Sequence, residues 1–441
     1  MSVPRPLVGF YGDDFTGSSE NLAQFHRHGL KARLYIKIPA PEAFAAAAAE
    51  LDVVGIAGTA RALSPDAMET ELSPAFAALA GLGPQLVQYK ICSTFDSAPA
   101  TGSFGKVIEV AGRHFPGCVF PVLAASPDFG RYTAFGCHFA RFGDRVERLD
   151  RHPSMATHPK TPMHEADLAR HLALQTAHPF GHAMLPDLRA GRAFEVAVEA
   201  FAAGRGVIFD TVDNTDLAAV AEAVWTASAR WPVVALAAQG LAQALGAILA
   251  ADRTGGARPS PATLIPAADR LLVLSGSCAL QNARQIDVAE QAGWLTVHLD
   301  PARLGDSSAR GRAFDEIGRQ VPEALAAGRP VIVYTARGSA GRMTDDGGIP
   351  ADRLGAVYAD LAGLVRSKTR LDRLVLAGGD SSSFTVRALD AASMEIAVFD
   401  AAQGSHVIRL GGGAAEGLEV MLKGGQIGAD DYFLRAHGGT R

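Results

Sequence analysis

The sequence predicts an α/β protein of two three-layer domains, each with a mainly parallel sheet, and an interdomain cleft. Short apolar runs such as LVQYKIC and RLVLAGGD alternate with alanine-rich helical stretches along the chain, which is typical of parallel strands covered on both faces. The 441 residues exceed what one hydrophobic core usually takes. A stretch rich in Gly, Pro, Ser and Thr, residues 251–268, interrupts the alternation and predicts an interdomain linker.

We therefore expect a first domain over residues 1–250, the linker over 251–268 and a second domain over 269–441. The first domain's predicted strands are PLVGFYG, LDVVGIAG, LVQYKIC, CVFPVLAA, GVIFDTV and VVALAA, with predicted helices at 18–28, 41–50, 68–81 and 214–230. LKARLYIKI, residues 30–38, alternates and predicts a half-exposed strand. The second domain's predicted strands are RLLVLSGS, LTVHLD, PVIVYTAR, RLVLAGGD, MEIAVF and HVIRL. The prolines and histidines of residues 150–165 predict an ordered, irregular segment near a functional site.

Composition excludes several classes of protein. A net charge of −5 gives no reason to expect a nucleic-acid or anionic-membrane partner. The four cysteines are scattered without CxxC pairing, which favours reduced thiols over a disulfide framework or zinc site. No apolar run is long enough for a membrane span, and the opening MSVPRPLVGFYGDD lacks the apolar region of a signal peptide. We expect a cytoplasmic protein; a homodimer is left open.

Three loops of the second domain share one design, in which a strand runs through glycine and serine. Their candidate residues are Ser275 and Ser277, then Gly378, Gly379, Asp380 and Ser381, then Gly424 and Gly425. Glycines let backbone N–H groups approach an anion closely, and a following helix N-terminus adds positive potential. Each loop alone could be an ordinary turn, but three in one domain favour a polyphosphate ligand. Asp380 is either a Mg²⁺ ligand or the cap of a helix at 382–390.

The absence of two common nucleotide-binding motifs limits the classes of nucleotide-binding protein to which the chain could belong. The chain contains no G-x-x-x-x-G-K-[ST] segment, and no G-x-G-x-x-G follows a strand with an acidic residue at the right distance. A Walker NTPase and a dinucleotide-binding domain are therefore disfavoured. The absence of a Gly-x-Ser-x-Gly elbow likewise disfavours covalent hydrolase chemistry.

In the first domain, Asp13 and Asp14 follow the first predicted strand in FYGDDFTGSSE. A carboxylate there could orient a substrate hydroxyl, accept its proton or bind Mg²⁺. The alternative is that one of them only caps the next helix. The anion loops of the second domain favour the chemical role, with Ser18 and Ser19 as caps, and leave open which aspartate takes the proton.

Other polar residues at predicted strand ends suit a small acid. Lys90, Ser93 and Thr94 lie in YKICSTFDS, and Arg131 lies in SPDFGRYTAFG, where it could bind a carboxylate with two hydrogen bonds. The pair His158 and His164 matches no regular helical ligand face, so a metal site there is disfavoured. Phosphoryl transfer fits both halves, because it needs positioning, charge neutralisation and a base.

The ordered motifs resemble the four-carbon acid sugar kinase family, formerly a domain of unknown function, over essentially the whole chain. GDDFTGS, SPDFGRYTAFG, HPKTPMHEADL and VIFDTVDNTDL resemble its N-terminal segments, and SGS, AGGDSSS and LKGGQIGADDYF resemble its nucleotide-binding loops. The resemblance implies a sugar-acid domain followed by an ATP domain, with Mg²⁺ arriving on the ATP phosphates. It implies that Asp13 and Asp14 lie in the substrate site with Thr16, Lys90, Ser93, Thr94, Arg131 and Lys160, and that the three loops contact ATP.

One segment departs from the family pattern. The family commonly has Lys-x-Asp-Ser-Thr-Leu-Arg-Gly, whose Arg is expected to hold the substrate acid, whereas this chain has KICSTFDSAPATG, with Cys92 for Asp and Phe95-Asp96 for Leu-Arg. The reversed charge predicts a branch with a different substrate, with 3-oxo-isoapionate and 3-oxo-tetronate as candidates. A non-catalytic sugar-acid and nucleotide sensor is the main alternative; a lyase or isomerase would leave the second domain's loops unexplained.

Overall fold

The computed structural model describes residues 5–158, 160–254, 264–304, 307–338, 349–400, 405–425 and 427–439, without the side chains of 252–254 and 380. The chain divides into two compact units, Met1–Ser260 and Pro261–Arg441. Each unit is an α/β domain, as the sequence predicts.

The first unit holds eleven strands and nine helices within its described residues. The strands are β1 (Val8–Gly12), β2 (Ala32–Tyr35), β3 (Val53–Ala57), β4 (Leu86–Lys90), β5 (Pro121–Leu123), β6 (Arg131–Ala134), β7 (Cys137–Phe142), β8 (Arg145–Arg148), β9 (Phe180–Ala183), β10 (Gly206–Phe209) and β11 (Val234–Ala237). The helices are α1 (Phe15–His26), α2 (Pro41–Ala48), α3 (Pro65–Leu82), α4 (Phe104–His114), α5 (Leu168–Ala173), α6 (Leu185–Arg189), α7 (Ala193–Ala202), α8 (Asn214–Ala227) and α9 (Gln239–Thr254).

Eight of these strands form a parallel sheet in the order β2-β3-β1-β4-β11-β5-β10-β9. Both faces of the central strand are covered. Phe10 packs against Phe25 of α1, with ring centroids 6.5 Å apart, and Tyr11 packs against Phe76 of α3 at 6.2 Å. The continuously apolar strands of the sequence are the result, because neither face meets water.

The remaining strands, β6, β7 and β8, form an antiparallel sheet that the sequence analysis did not predict. Its first turn is held from the parallel sheet by Asp210, whose carboxylate accepts hydrogen bonds from the backbone N–H groups of Phe135 (2.7 Å), Gly136 (2.9 Å) and Leu185 (3.0 Å). The irregular segment predicted at 150–165 follows this sheet and begins with a short 3-10 helix, Leu149–Arg151.

The second unit has seven strands and five helices within its described residues. They are β12 (Leu271–Ser275), α10 (Leu280–Gln291), β13 (Leu295–His298), α11 (Ser307–Ala326), β14 (Val331–Tyr334), α12 (Ala351–Lys368), β15 (Arg373–Ala377), α13 (Asp380–Ala388), β16 (Ser393–Asp400), β17 (Ser405–Gly411), β18 (Glu419–Lys423) and α14 (Tyr432–Gly438). Strands β13-β14-β12-β15-β18 are parallel, whereas β17 and β16 continue the sheet in antiparallel pairing. The buried core includes Val273, Val375 and Met421 from adjacent strands and Phe433 from α14.

Three local expectations differ from the structure. Helix α1 starts at Phe15, not at 18, because the Asp14 side chain caps it by accepting the Gly17 N–H at 3.2 Å; Ser18 and Ser19 instead donate to the carbonyls of Asp14 and Thr16. Helix α13 starts at Asp380 with Gly379 as N-cap, so Asp380 is not its cap.

The segment predicted as a linker is partly regular. Helix α9 continues to Thr254, residues 255–263 lie outside the described structure, and 264–268 pack on the second unit. There the Pro266 carbonyl accepts a hydrogen bond from Arg373 at 2.9 Å, and the Ala268 N–H donates to the His437 carbonyl at 2.8 Å. The strand predicted at 30–38 shortens to β2, and Tyr35 is buried against Phe44 of α2.

Candidate functional site

Strand register brings the carboxyl ends of β1, β3, β4 and β11 to one edge of the first domain's sheet. Gly12 at the end of β1 pairs with Ala57 and with Lys90, and Lys90 pairs with Ala237. Loops that follow these strands therefore start side by side, at the edge where parallel sheets bind ligands. Asp13 and Asp14 leave this edge directly after Gly12.

Arg61 joins the two aspartates. It lies in the 3-10 helix Ala60–Ala62 that follows β3, and its guanidinium binds Asp13 through Nη2–Oδ1 (2.6 Å) and Nε–Oδ2 (3.1 Å) and binds Asp14 through Nη2–Oδ1 (2.7 Å). This arginine was not among the site residues predicted from the sequence. An arginine four positions after an apolar strand, in GIAGTARAL, is the signal that could have identified it.

Glu71 of α3 holds the loop that carries Arg61. Its carboxylate accepts hydrogen bonds from the Thr59 N–H at 2.6 Å, the Thr59 hydroxyl at 3.1 Å and the Tyr11 hydroxyl at 2.8 Å. These contacts hold the turn between β3 and Arg61 in place, so the guanidinium is fixed where it can bind both aspartates.

The two aspartates differ in exposure and in ionisation. The Asp13 side chain is 1% exposed and that of Asp14 is 26% exposed. Burial raises the pKa of Asp13 despite the charge of Arg61. Burial also acts to raise the pKa of Asp14, but Arg61, Lys90 and the Gly17 N–H together outweigh it, so the pKa of Asp14 lies below its usual value. Asp14 is thus the accessible, ionised carboxylate, and Asp13 anchors Arg61.

Lys90 lies directly beside Asp14, and Gly17 makes room for it. A Cβ added to Gly17 would lie 2.2 Å from the Lys90 Nζ and 2.4 Å from an Asp14 Oδ. The lysine side chain is buried at the end of β4. The sequence T-G-S at 16–18 therefore has a steric reason, because any side chain at 17 would displace the amine or the carboxylate.

The segment from Cys92 to Asp96 forms a tight turn beside this cluster. The Thr94 hydroxyl donates to an Asp96 Oδ at 2.7 Å and lies 2.9 Å from the Cys92 Sγ. Burial, then Asp96, raise the pKa of the Cys92 thiol to about 11, so this cysteine stays protonated. Phe95 takes a left-handed conformation, φ 57°, while its ring packs on Phe104 with centroids 4.9 Å apart. The turn is thus held rigidly with an acidic group in it.

Arg131 lies in β6 and acts electrostatically on Glu20 of α1. Its Nη1 donates to the Phe129 carbonyl at 2.7 Å, and its Nε is buried without a hydrogen-bond partner among the described residues.

Glu20, one turn after Gly17 on α1, was also not predicted from the sequence. Burial raises its pKa, while Lys90 and Arg131 act to lower it, which places the carboxyl within electrostatic reach of both cations.

The other candidates of the first domain have different positions. Ser93 contributes its backbone carbonyl, which accepts a hydrogen bond from His138 Nε2 at 2.8 Å; burial lowers the pKa of that histidine to about 4, so it is neutral. Thr16 is half-buried in the first turn of α1. Lys160 is exposed and, within the described part of the chain, makes no ion pair with the aspartates.

In the second domain, register again aligns the candidate loops. Ser275 at the end of β12 pairs with Ala377, and Ala377 pairs with Lys423 at the end of β18. The Gly378 N–H donates to the Lys423 carbonyl at 2.9 Å. A Cβ added to Gly425 would lie 2.1 Å from the Ser277 Oγ. The three loops predicted to bind phosphate therefore touch one another.

A buried amide connects these loops and was missed in the sequence. Asn282 of α10 is fully buried, and its Nδ2 donates to the Ser275 Oγ at 2.8 Å and the Ser277 carbonyl at 3.4 Å. Its Oδ1 accepts from Lys423 Nζ at 3.5 Å. The sequence pattern singled out only the loop residues Ser275 and Ser277 here, and Asn282 was not among the predicted site residues.

Helices α10 and α13 begin at this edge without side-chain caps, at Ala279 and Gly379. Among the described residues, Ser277 Oγ accepts the Ala279 N–H at 3.2 Å, and Ser381 is buried against Gly378 and Gly276. Uncapped helix N-termini offer backbone N–H groups and positive potential to an anion. The side chain of Asp380 lies outside the described structure.

Two further observations limit the possibilities. Across the described residues, no group of three His, Cys, Asp or Glu side chains could hold a metal ion. No helix in the part of the chain that the structure describes is long and apolar enough to cross a membrane.

Comparison with family models identifies both halves. Residues 8–245 match a model of a sugar-binding N-terminal domain, and residues 272–433 match a model of a nucleotide-binding C-terminal domain. The chain is 35% identical over 450 residues to a 3-oxo-isoapionate kinase of Paraburkholderia graminis, covering 97% of this chain and 93% of that protein. It is 30% identical over 452 residues to a 3-oxo-tetronate kinase of Pseudomonas fluorescens, covering 99% of this chain and 98% of that protein.

Solved structures show the same fold. A Haemophilus influenzae protein of the DUF1537 family aligns with a TM-score of 0.72 at 24% identity, covering 98% of this chain and 99% of that one. A Salmonella typhimurium LT2 protein, provisionally described as a tRNA synthase, aligns with a TM-score of 0.80 at 23% identity, covering 97% and 98%. At these identities the likeness concerns the fold alone.

Proposed function

The chain belongs to the four-carbon acid sugar kinase family and is a sugar-acid kinase, and we propose that it moves the γ-phosphoryl group of ATP to a hydroxyl of a small 3-oxo sugar acid. The main observation behind the proposed residue roles is that the Asp14 carboxylate, which lies between Arg61 and the N-terminus of α1, is partly exposed and ionised. Such a group can accept a hydrogen bond from the attacking hydroxyl and take its proton.

Asp13 has a different role in this proposal. Its side chain is almost fully buried and binds Arg61 through two oxygens, so it anchors the guanidinium to which the more exposed Asp14 also binds. Phosphoryl transfer depends mainly on positioning and charge. A fixed Arg61 would keep the Asp14 carboxylate in one orientation through the reaction.

The acid group of the substrate would bind the two remaining cations, Lys90 and Arg131. The unpartnered Nε of Arg131 is a buried donor that a carboxylate could satisfy. Lys90 stands beside Asp14, so a short acid would place its carboxylate and its reacting hydroxyl in adjacent subsites. Thr16, Ser93 and Thr94 are proposed to contact the rest of the substrate, and Lys160 has the weakest support because it is exposed.

Asp96 bears on the choice between substrates. It is 8% exposed and paired with the Thr94 hydroxyl, where the family pattern has an arginine. A carboxylate accepts hydrogen bonds from hydroxyls and repels a second carboxylate. We therefore propose a branched 3-oxo acid of the 3-oxo-isoapionate type as first substrate and 3-oxo-tetronate as the alternative.

The second domain is proposed to bind ATP through Ser275, Ser277, the loop 378–381, Gly424 and Gly425. The described residues do not form a metal site by themselves, and Mg²⁺ needs few protein ligands when phosphates coordinate it. We propose that it enters as the ATP complex, where it neutralises phosphate charge. The domain bounds 1–250, 251–268 and 269–441, a cytoplasmic location and a homodimer stay predictions.

The test is ADP release measured over a panel of four-carbon and branched five-carbon sugar acids and their 3-oxo forms. We expect turnover with at least one 3-oxo acid and the highest kcat/KM with a branched one. Turnover restricted to straight-chain acids would contradict the assignment of Asp96. No turnover on any member, with binding of acid and ATP retained in calorimetry, would instead favour the sensor function.

A variant separates Asp96 from general damage to the site. Asp96→Asn keeps the size of the side chain and its bond to Thr94, and we expect it to lower kcat/KM for the branched acid more than for 3-oxo-tetronate. Asp128→Asn is the matched control, since that carboxylate binds Asn214 and Gln243 at the surface. Equal losses for both substrates in Asp96→Asn would remove its role in specificity.

A further inference from the structure

Lys423, the last residue of β18, lies almost fully buried beneath the second domain's loops. Its Nζ donates to the carbonyls of Gly424 at 3.1 Å and Gly425 at 3.4 Å, and to Asn282 Oδ1 at 3.5 Å. On the opposite side it lies over the rings of Tyr432 and Phe433, 5.8 and 5.7 Å from their centroids. Its described hydrogen-bond partners are all neutral oxygens.

The partners of Lys423 connect it to every candidate phosphate loop. Asn282 binds Ser275 and Ser277 with the same amide whose oxygen faces the lysine. The Lys423 backbone carbonyl accepts a hydrogen bond from the Gly378 N–H, so the loop 378–381 is attached to the main chain of the same residue. The Lys423 side chain is therefore linked to the β12 and β18 loops through Asn282, Gly424 and Gly425, and its main chain is linked to the loop that follows β15.

A second amide of α10 completes the support. Gln285 lies three positions after Asn282, on the same helix face, and its Nε2 lies within hydrogen-bond distance of the carbonyls of Ile427 (3.1 Å), Gly428 (3.1 Å) and Ala429 (2.9 Å). Helix α10 thus contacts Lys423 through Asn282 and the carbonyls of residues 427–429 through Gln285, while Lys423 itself binds the carbonyls of Gly424 and Gly425.

We propose that Lys423, positioned by Asn282, supplies the positive charge that binds the polyphosphate of the nucleotide and holds Gly424 and Gly425 in their binding conformation. This inference rests on the proposed nucleotide binding by the second domain. The charge of a buried lysine is little screened by solvent, and no carboxylate is among its described partners to neutralise it. A bound phosphate would be the missing counter-charge.

The charge state gives the proposal a measurable signature. Burial lowers the pKa of Lys423 from its usual 10.5 to about 8. Tyr432 is the titratable group that the described residues place against the amine, and because burial raises its pKa to about 12 it stays neutral over the same range. Phosphate nearby favours the ammonium form. Nucleotide binding above pH 8 must therefore take up a proton, and affinity must fall as the pH rises.

The experiment is calorimetric titration of the full-length protein with ADP and Mg²⁺, comparing wild type, Lys423→Met and Lys368→Met. Methionine is close to lysine in length and apolar, so it suits a buried position. We expect Lys423→Met to weaken ADP binding by about 30-fold or more, as for loss of a buried charged partner, with affinity for the sugar acid within twofold. Lys368, whose Nζ donates to the Gly318 carbonyl at 2.8 Å, is the control and should leave both affinities unchanged.

The second measurement uses wild-type protein alone and so does not depend on how the variant folds. Titrations at pH 8.5 in two buffers of different ionisation enthalpy give the number of protons taken up on ADP binding. We expect uptake of a substantial fraction of one proton, and about tenfold weaker binding at most per pH unit between 8 and 9.5. Wild-type-like ADP affinity in a folded Lys423→Met, or no proton uptake, would overturn the role of Lys423. Failure of wild type to bind ADP at any pH would overturn the proposed nucleotide site itself.

Discussion

The two domains prepare their strand ends for ligands in opposite ways. Five helices of the first domain begin with an Asp or Ser side chain that caps them: Asp14, Ser64, Ser103, Asp167 and Asp213. In the second domain α10, α12 and α13 begin at Ala279, Pro350 and Gly379, without such a cap. Charged side chains meet at the first domain's edge, and backbone N–H groups meet at the second domain's.

The difference follows from what each ligand demands. A small sugar acid has one carboxylate and several hydroxyls, and a fixed carboxylate and guanidinium can distinguish among these groups. A polyphosphate carries several charges on one chain, which many N–H donors and one buried lysine can share. Substitutions in the first domain should therefore affect chemistry or folding, and those in the second domain should affect nucleotide affinity.

The largest effect is expected for Arg61→Met. The change leaves Asp13 buried beside Asp14 without the guanidinium that both share. Removing one partner of a buried ion pair typically costs about 3–5 kcal/mol, and because the Arg61 side chain is 23% exposed we expect the free energy of unfolding to fall toward the lower end of that range. Urea unfolding of the variant measures it.

The control for Arg61→Met is Arg113→Met. Arg113 pairs with Glu69 on the surface, where its side chain is 51% exposed, and exposed ion pairs contribute little to stability. We expect its unfolding midpoint to stay near that of wild type. Equal midpoints for the two variants would mean that Arg61 is no more than a surface ion pair.

The next effect concerns Asp14→Asn. Asparagine caps a helix about as well as aspartate, so α1 should stay intact while the proton acceptor is lost. We expect kcat to fall by more than about 100-fold, the usual contribution of a general base, with ADP affinity unchanged. Asp66→Asn, an exposed carboxylate in the first turn of α3, should keep full activity. Near-normal kcat in Asp14→Asn would leave Asp14 as a helix cap only.

These variants also show what the sequence could and could not reveal. The adjacent carboxylates after a strand were visible as Asp13 and Asp14, because an apolar run followed by polar residues marks a strand end. Their division into a buried and an exposed member was not visible, since it depends on Arg61, 47 positions beyond Asp14 and brought near by β3 pairing with β1.

In the second domain the pattern is similar. Glycine and serine after apolar strands predicted the three loops, but Asn282 and Gln285 lie on the buried face of a helix, where periodicity predicts apolar residues. Their role depends on a loop more than 140 residues further along the chain. The antiparallel strands β6 to β8 were missed because they are short and half-exposed, so their sequence lacks a continuous apolar run.

The smallest effect is expected for Gly379→Val. A Cβ at this position points into open space, with no described atom within 4 Å other than those of its own chain neighbours and helix backbone, so a valine side chain would meet no steric clash from other parts of the domain. The added methyl groups would stand at the uncapped start of α13, where a phosphate needs close approach to the backbone. We expect KM for ATP to rise about tenfold, equivalent to one lost charge-assisted hydrogen bond, with KM for the sugar acid and the melting temperature nearly unchanged.

Gly363→Val, at an exposed and equally open position within α12, is the matched control and should leave KM for ATP as it is. If Gly379→Val binds ATP normally, the loop 378–381 does not contact the nucleotide, and the second domain must hold its phosphates with the β12 and β18 loops alone.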